Sequence, residues 1–124
     1  LSILEAVGSP ALGANPDTGN FLLVHEASHD AVAVVASRAA MAHFKDFKVV
    51  PDDYTGSAYT SIDGIKFAGT AIGEGDVDLA GCLTALKAGG FHGWLNIEYE
   101  AQEDPMTGVA RSVENAKRLI SGLG

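Results

Sequence analysis

Three ionisable residues are of chemical interest because each lies at or near the end of a short apolar segment. Asp17 closes the segment ALGANPD, His43 lies in MAHF, and Glu98 lies in WLNIEYE. Two carboxylates and an imidazole are donors that bind a divalent ion such as Mn²⁺, Mg²⁺, Co²⁺ or Zn²⁺, and they suit a soft metal less well. If the fold brings the three residues together, they form a metal site.

Each residue also has an ordinary structural explanation. An Asp in NPDTGN commonly accepts hydrogen bonds from the backbone of a turn, and a single His in an apolar strand is commonly a hydrogen-bonded core residue. Glu98 is harder to explain in this way, because an unpaired carboxylate in a buried strand is costly. Singly, the first two residues favour the structural explanation, whereas the three together favour a shared site.

Strands and helices are predicted to alternate along the chain. We expect a helix end at 1–7, a strand at 11–17, a helix that His29 and Asp30 open and that continues through 31–42, a strand at 41–50, a helix at 77–90 capped by Asp76 or Asp78, a strand at 93–100 and a helix at 105–124. Residues 51–75, rich in Gly, Ser, Thr and Asp, are predicted to form a long loop, in which 64–72 pairs back as a ribbon. A loop of this length is usually functional or disordered.

This order predicts a parallel sheet built from right-handed βαβ units, in which the carboxyl ends of the strands face the site. Three strands with helices on one face would leave the other face uncovered, which parallel sheets avoid. We therefore predict an α/β fold that is part of a barrel. Because the chain begins at Leu1 in a helix-like segment, we expect residues 1–124 to be a partial single domain whose N-terminal part is missing.

Composition excludes several classes of protein. The chain has 124 residues, of which 47% are hydrophobic, and its net charge is −8 without a cluster of basic residues, which argues against nucleic acid as a partner. No apolar run approaches the roughly 20 residues of a membrane span. The single cysteine, Cys82, has no partner thiol and is predicted to be a small buried hydrophobe in a reducing, cytoplasmic compartment.

Several motifs together resemble a known family. The segments NPDTGNF, HFKDF, GEGDVDL, GFHGWLNIEYE and RSVENAKRLI are similar, in this order, to the C-terminal part of the xylose isomerase-like TIM barrels, the sugar phosphate isomerase/epimerase superfamily. The resemblance covers nearly the whole chain. Its motifs are fairly specific to the superfamily but not to one activity, and they imply about three βα units of a TIM (β/α)₈ barrel.

The resemblance also implies a metal centre and a reaction. In the family one divalent metal is held by a Glu, an Asp, a His and a second Glu from the ends of the last four strands, and Asp17, His43 and Glu98 match the last three positions. The first Glu would precede this chain. Glu98 would also act as half of the acid/base pair that moves a proton between adjacent carbons through an enediolate.

Further residues are given roles by their place beside these motifs. Lys45 and the backbone around Gly73 and Gly75 are candidates to bind substrate oxygens or a phosphate, although a solvated lysine and a plain turn explain them equally well. Asp46 is predicted to orient a neighbour or to cap a loop, and a supporting role toward the metal ligands is the alternative.

The chain departs from the pattern of the abasic-site DNA endonucleases of this superfamily. Some epimerases and these endonucleases have a His three residues after the strand-end Asp, where this sequence has Asn20. The long loop also lacks the Asp-x-His of the endonucleases. Both differences, and the acidic net charge, argue against a trinuclear zinc nuclease.

The leading functional prediction is a divalent-metal-dependent sugar or sugar phosphate isomerase or epimerase that acts on a small polyhydroxy substrate. A metal-dependent dehydratase of the inosose or dehydroshikimate type is the alternative on the same scaffold, because it also needs a carboxylate base beside a metal. A noncatalytic fragment or a half-barrel subunit is a third hypothesis. Homo-oligomerisation is compatible with all three.

Overall fold

The computed structural model describes residues 1–124 and has an α/β architecture. None of its helices combines the length and the apolar character that a membrane crossing requires. In chain order its elements are α1 (Ser2–Val7), α2 (Ser28–Val35), β1 (Met41–Phe44), β2 (Asp46–Val50), β3 (Tyr59–Thr60), β4 (Lys66–Thr70), α3 (Leu79–Ala88), β5 (Trp94–Ile97) and α4 (Pro105–Ser121), with short 3₁₀ helices at Asn20–Val24 and Ala36–Arg38.

The parallel layer has β1 at its centre. On one side β1 pairs with β5, with His43 opposite Asn96, and on the other side the segment around 14–17 runs parallel to it through isolated bridges. The predicted first strand is therefore present, although as two bridges rather than as a continuous ladder. Because the three segments run in the same direction, their carboxyl ends meet at one edge of the layer.

The helices that follow these strands agree with the prediction in place and differ in length. Helix α2 ends at Val35 instead of continuing to residue 42, because the carbonyl of Arg38 and the amide of Ala40 bond to Ala14 in the parallel layer. Asp78 is the N-cap of α3, where its carboxylate accepts a bond from the amide of Gly81.

The predicted strand at 41–50 is wrong as a single strand. It divides at Lys45, because both backbone polar groups of Lys45 bond to the hydroxyl of Thr18. Beyond this residue, β2 pairs antiparallel with β4, and β4 with β3. This three-stranded unit, which we call the ribbon, confirms that residues 64–72 pair back, and it occupies much of the predicted loop.

The core lies between the parallel layer, helices α2 and α3, and the ribbon. Its most deeply buried side chains include Val32, Phe44, Phe47, Ile72 and Cys82. Cys82 is a free, buried thiol, as predicted, and burial raises its pKa to about 12. The packing of this core fixes β1 and β2, and so the residue between them, against the site edge.

Candidate metal centre

The three sequence-predicted ligands converge at the carboxyl edge of the parallel layer. The Nδ1 atom of His43 lies 4.0 Å from Oδ2 of Asp17 and 2.5 Å from Oε2 of Glu98. One donor atom from each residue lies within 4.8 Å of the others. Alternation along the strand explains the arrangement, because Asn96 lies opposite His43 and Glu98, two residues later, points to the same face.

Asp17 closes a turn, as one of its two explanations predicted, and its carboxylate also faces the other candidate ligands. Its Oδ1 accepts hydrogen bonds from the amides of Gly19 and Asn20, each at 2.9 Å, which closes the turn. Its Oδ2 faces His43 and also accepts a bond from the side-chain amide of Asn20 at 2.9 Å. Burial raises the pKa of Asp17, and these backbone hydrogen bonds oppose the rise. The turn thus fixes the carboxylate that the site uses.

Thr18 ties the Asp17 segment to β1. Its hydroxyl donates to the carbonyl of Lys45 at 2.7 Å and accepts from the amide of Lys45 at 2.9 Å, and its own amide donates to the carbonyl of His43 at 3.1 Å. The Thr18 side chain is fully buried. These three bonds set the separation between Asp17 and His43.

Glu98 presents one oxygen to the site and the other to a cation of the protein. Its Oε1 accepts a bond from Lys45 Nζ at 3.2 Å, whereas Oε2 is buried and lies 2.5 Å from Nδ1 of His43. Burial acts to raise the pKa of Glu98, but the hydrogen bond and the charge of Lys45, with a smaller effect of His43, outweigh it and hold the pKa below its ordinary value. Glu98 is therefore ionised at neutral pH.

The donor set fits a divalent cation. Buried carboxylates are costly unless positive charge balances them, and a cation placed among Glu98 Oε2, His43 Nδ1 and Asp17 Oδ2 would add to the charge that Lys45 supplies. Two carboxylate oxygens and one imidazole nitrogen match the preferences of Mg²⁺, Mn²⁺, Co²⁺ and Zn²⁺.

Lys45 lies in this site, but it is not the solvated lysine that was one of its two explanations. Its side chain is only 5% exposed, and its ammonium contacts Glu98 and, at 2.6 Å, Oε2 of Glu100. Burial acts to lower the pKa of Lys45, while the bonds to Glu100 and Glu98 and the charge of Asp17 raise it above its ordinary value. Its expected contact with substrate stays a prediction.

The other predicted residues lie together where Asp46, the first residue of β2, meets Gly73 and Gly75 in the loop between β4 and α3. Oδ2 of Asp46 accepts hydrogen bonds from the amides of Gly73 and Gly75, at 2.8 and 2.9 Å, and Oδ1 accepts from the amide of Val77 at 3.3 Å. These two glycine amides are thus engaged by a buried side chain of the protein. The contacts of Asp46 are those of a loop cap, and none of its hydrogen bonds reaches a candidate metal ligand.

Sequence reasoning missed two residues beside the site. Glu100 and Tyr59 contact each other, since the phenol of Tyr59 donates to Oε2 of Glu100 at 3.1 Å. Glu100 had a signal in the sequence, because it follows Glu98 by two residues and alternation directs both to one face. Tyr59 had none, because it comes from the part of the ribbon predicted as loop.

Comparison with known proteins agrees with this geometry. The model of the xylose isomerase-like TIM barrel family matches residues 1–119. The chain belongs to this family. Its α/β fold is accordingly part of a TIM barrel, as the sequence predicted.

Similar solved structures cover almost all of this chain. A xylose isomerase domain protein from Planctomyces limnophilus has 30% sequence identity and a TM-score of 0.70, over 98% of this chain and 41% of that one. A xylose isomerase-like TIM barrel protein from Mycobacterium smegmatis, solved in complex with magnesium, has 20% identity and a TM-score of 0.73, over 99% of this chain and 39% of that one. The chain thus spans about two fifths of the length of these proteins.

A relative with a named activity matches a shorter part of this chain. The 3-oxo-isoapionate decarboxylase of Pectobacterium atrosepticum is 31% identical over 78 residues, which are 63% of this chain and 26% of the decarboxylase. Family membership therefore does not by itself specify the reaction of this chain.

Proposed function

We propose that Asp17, His43 and Glu98 are the ligands that this chain contributes to a single divalent metal ion, in an isomerase or epimerase that acts on a small sugar or sugar phosphate. The observation that carries the proposal is the convergence of three donor atoms within 4.8 Å, one of them the buried Oε2 of Glu98. Membership of the xylose isomerase-like family supports the same interpretation.

The chemistry follows from the properties of these groups. A divalent metal supplies polarisation of the substrate carbonyl, which acidifies the neighbouring C–H group. Asp17 and His43 hold the ion, and Glu98, ionised through its contact with Lys45, is placed to accept the proton and to help return it to the adjacent carbon. Proton movement through an enediolate isomerises or epimerises the substrate.

Metal binding is tested by substitution of His43. The purified protein is titrated with Mn²⁺ and Co²⁺ by calorimetry, alongside His43→Ala and the exposed-histidine control His92→Ala. We expect one ion per chain, much weaker binding by His43→Ala, and no change in His92→Ala. Equal affinity of all three proteins would show that His43 is not a ligand.

The reaction is tested by exchange of substrate hydrogen with solvent. The metal-loaded protein is incubated in D₂O with hydroxypyruvate, ketohexoses and inososes, and NMR spectra record deuterium incorporation and product. Glu98→Gln should abolish exchange, whereas Glu114→Gln, which alters an exposed carboxylate, should not. Exchange at the original rate in Glu98→Gln, with its normal metal content, would contradict the role of Glu98.

Decarboxylation of a 3-oxo acid is a second candidate, favoured by the similarity to the decarboxylase of Pectobacterium atrosepticum. Loss of CO₂ from a 3-oxo acid leaves its bonding electron pair as an enolate, so the same centre can serve this reaction without an initial C–H cleavage. Release of CO₂ distinguishes it from isomerisation, in which all carbons are retained.

A further inference from the structure

A continuous set of contacts leads from the ribbon to the candidate metal ligand Glu98. The phenol of Tyr59 bonds to Oε2 of Glu100 at 3.1 Å, the same oxygen lies 2.6 Å from Lys45 Nζ, and Lys45 Nζ donates to Oε1 of Glu98 at 3.2 Å. Each member therefore contacts the next through a charged or charge-assisted interaction, which is stronger than a neutral hydrogen bond.

Lys45 is held in one place by its surroundings. Its ammonium lies 5.1 Å from the ring centroid of Phe47 and 5.6 Å from that of Tyr59, and its backbone is bonded on both sides by Thr18. A buried ammonium without carboxylate partners would be unstable. Glu98 and Glu100 thus share one fixed positive charge.

Glu100 is in turn fixed by the ribbon. A Cβ atom at position 69 of β4 would lie 2.6 Å from the carbonyl oxygen of Glu100, so the close approach of β4 requires glycine there. Tyr59, from β3, binds the carboxylate of Glu100 from the same ribbon. The ribbon therefore sets where the second partner of Lys45 lies.

We propose that Glu100 and Tyr59 are positioning residues that act through Lys45, holding Oε1 of Glu98 away from the metal and leaving Oε2 as its single donor. The proposal rests on the metal site described under Proposed function. Glu100 shares the charge of Lys45. Without it the ammonium would pair with Glu98 alone and compete with the metal for that carboxylate.

The test measures Co²⁺ affinity and the visible absorption of bound Co²⁺ in the purified protein and in Glu100→Gln, Lys45→Met and the double variant. We expect Glu100→Gln to weaken binding by about 10- to 100-fold, the usual effect of losing a group that supports a metal ligand. Lys45→Met should change the Co²⁺ spectrum, because the freed Oε1 can then enter the coordination sphere.

The double variant separates positioning from a direct effect of charge. If Glu100 acts through Lys45, Glu100→Gln will change Co²⁺ affinity little once Lys45 is methionine, so the two substitutions will not be additive. Equal effects of Glu100→Gln in both backgrounds, or an unchanged spectrum in Lys45→Met, would overturn the proposal.

Two further variants guard against misfolding and nonspecific effects. Tyr59→Phe removes only the bond to Glu100 from a partly exposed residue and should weaken Co²⁺ binding less than Glu100→Gln; an unchanged affinity would remove Tyr59 from the set. Lys48→Met, which alters an exposed lysine of β2, should change neither the Co²⁺ affinity nor the Co²⁺ spectrum.

The same measurements separate failure of the metal site from failure of this proposal. If the unsubstituted protein binds no Co²⁺, both fail. If it binds Co²⁺ and Glu100→Gln leaves that affinity unaltered, only the positioning role is refuted.

Discussion

Thr18→Val is the substitution that most directly tests how the fold builds the site. Valine has nearly the shape of threonine, so it preserves packing and removes only the hydroxyl. In the protein this hydroxyl bonds both to the amide and to the carbonyl of Lys45, at 2.9 and 2.7 Å. The variant therefore leaves two backbone groups without partners at a position where the chain is buried.

The expected loss of stability follows from these two groups. An unsatisfied buried donor or acceptor costs about 1–3 kcal/mol, so the variant should lose roughly 2–6 kcal/mol of the free energy of unfolding, with about 4 kcal/mol as a central value. Since small domains have only about 5–15 kcal/mol in total, this is a large fraction. With a urea dependence of roughly 2 kcal/mol per molar, the unfolding midpoint should fall by about 2 M.

The assay is urea unfolding followed by circular dichroism, with Thr84→Val as the matched control. Thr84 is exposed on α3, and its hydroxyl donates only to the carbonyl of Ala80 one turn earlier, so the same change there should stay within about 0.5 kcal/mol. Thr18→Val should also weaken Co²⁺ binding, because Thr18 sets the distance between Asp17 and His43. Identical midpoints for the two variants would refute the reasoning.

Two other predictions concern buried groups away from the site. Cys82, whose pKa burial raises to about 12, should react with a disulfide reagent at pH 8 only after unfolding, and rapid labelling of the folded protein would contradict its burial. Gly108→Ala should lower the melting temperature, because the new Cβ would collide with the Tyr99 ring, at a typical cost of about 1–3 kcal/mol. This cost outweighs the gain of about 1 kcal/mol in helix propensity that alanine has over glycine. Gly122→Ala, where the new Cβ meets nothing closer than 3.4 Å, is the control and should be neutral.

Much of the fold could be predicted because strong local signals agree with it. Helix α3 has an aspartate cap at Asp78 and glycines at its end, and α4 begins with Pro105, so their positions follow from chain chemistry. The division at Lys45 could not be predicted, because it depends on the hydroxyl of Thr18, which lies 27 residues earlier. The charged pair Lys45 and Asp46 interrupts the apolar pattern of residues 41–50 at the break, but two charged residues do not by themselves predict a change of strand partner.

The candidate site was predictable to the extent that it depends on strand ends. Asp17, His43 and Glu98 each end an apolar segment, and parallel strands bring such ends together. The surrounding contacts depend on tertiary placement instead. The role of Lys45 could be defined only after the ribbon had placed Tyr59 and Glu100 against it, since the ribbon pairs segments that are distant in the chain.

The charges at the site edge fit the divalent ion proposed above. The carboxylates of Asp17, Glu98 and Glu100 surround one ammonium, that of Lys45, and the imidazole of His43, which must be neutral to bind a metal. Three negative charges and one positive charge leave an excess of two negative charges in a partly buried cluster, and such an excess is costly without a counterion. A single divalent cation would neutralise it, so removal of the proposed metal should destabilise this edge of the fold as well as abolish the proposed activity.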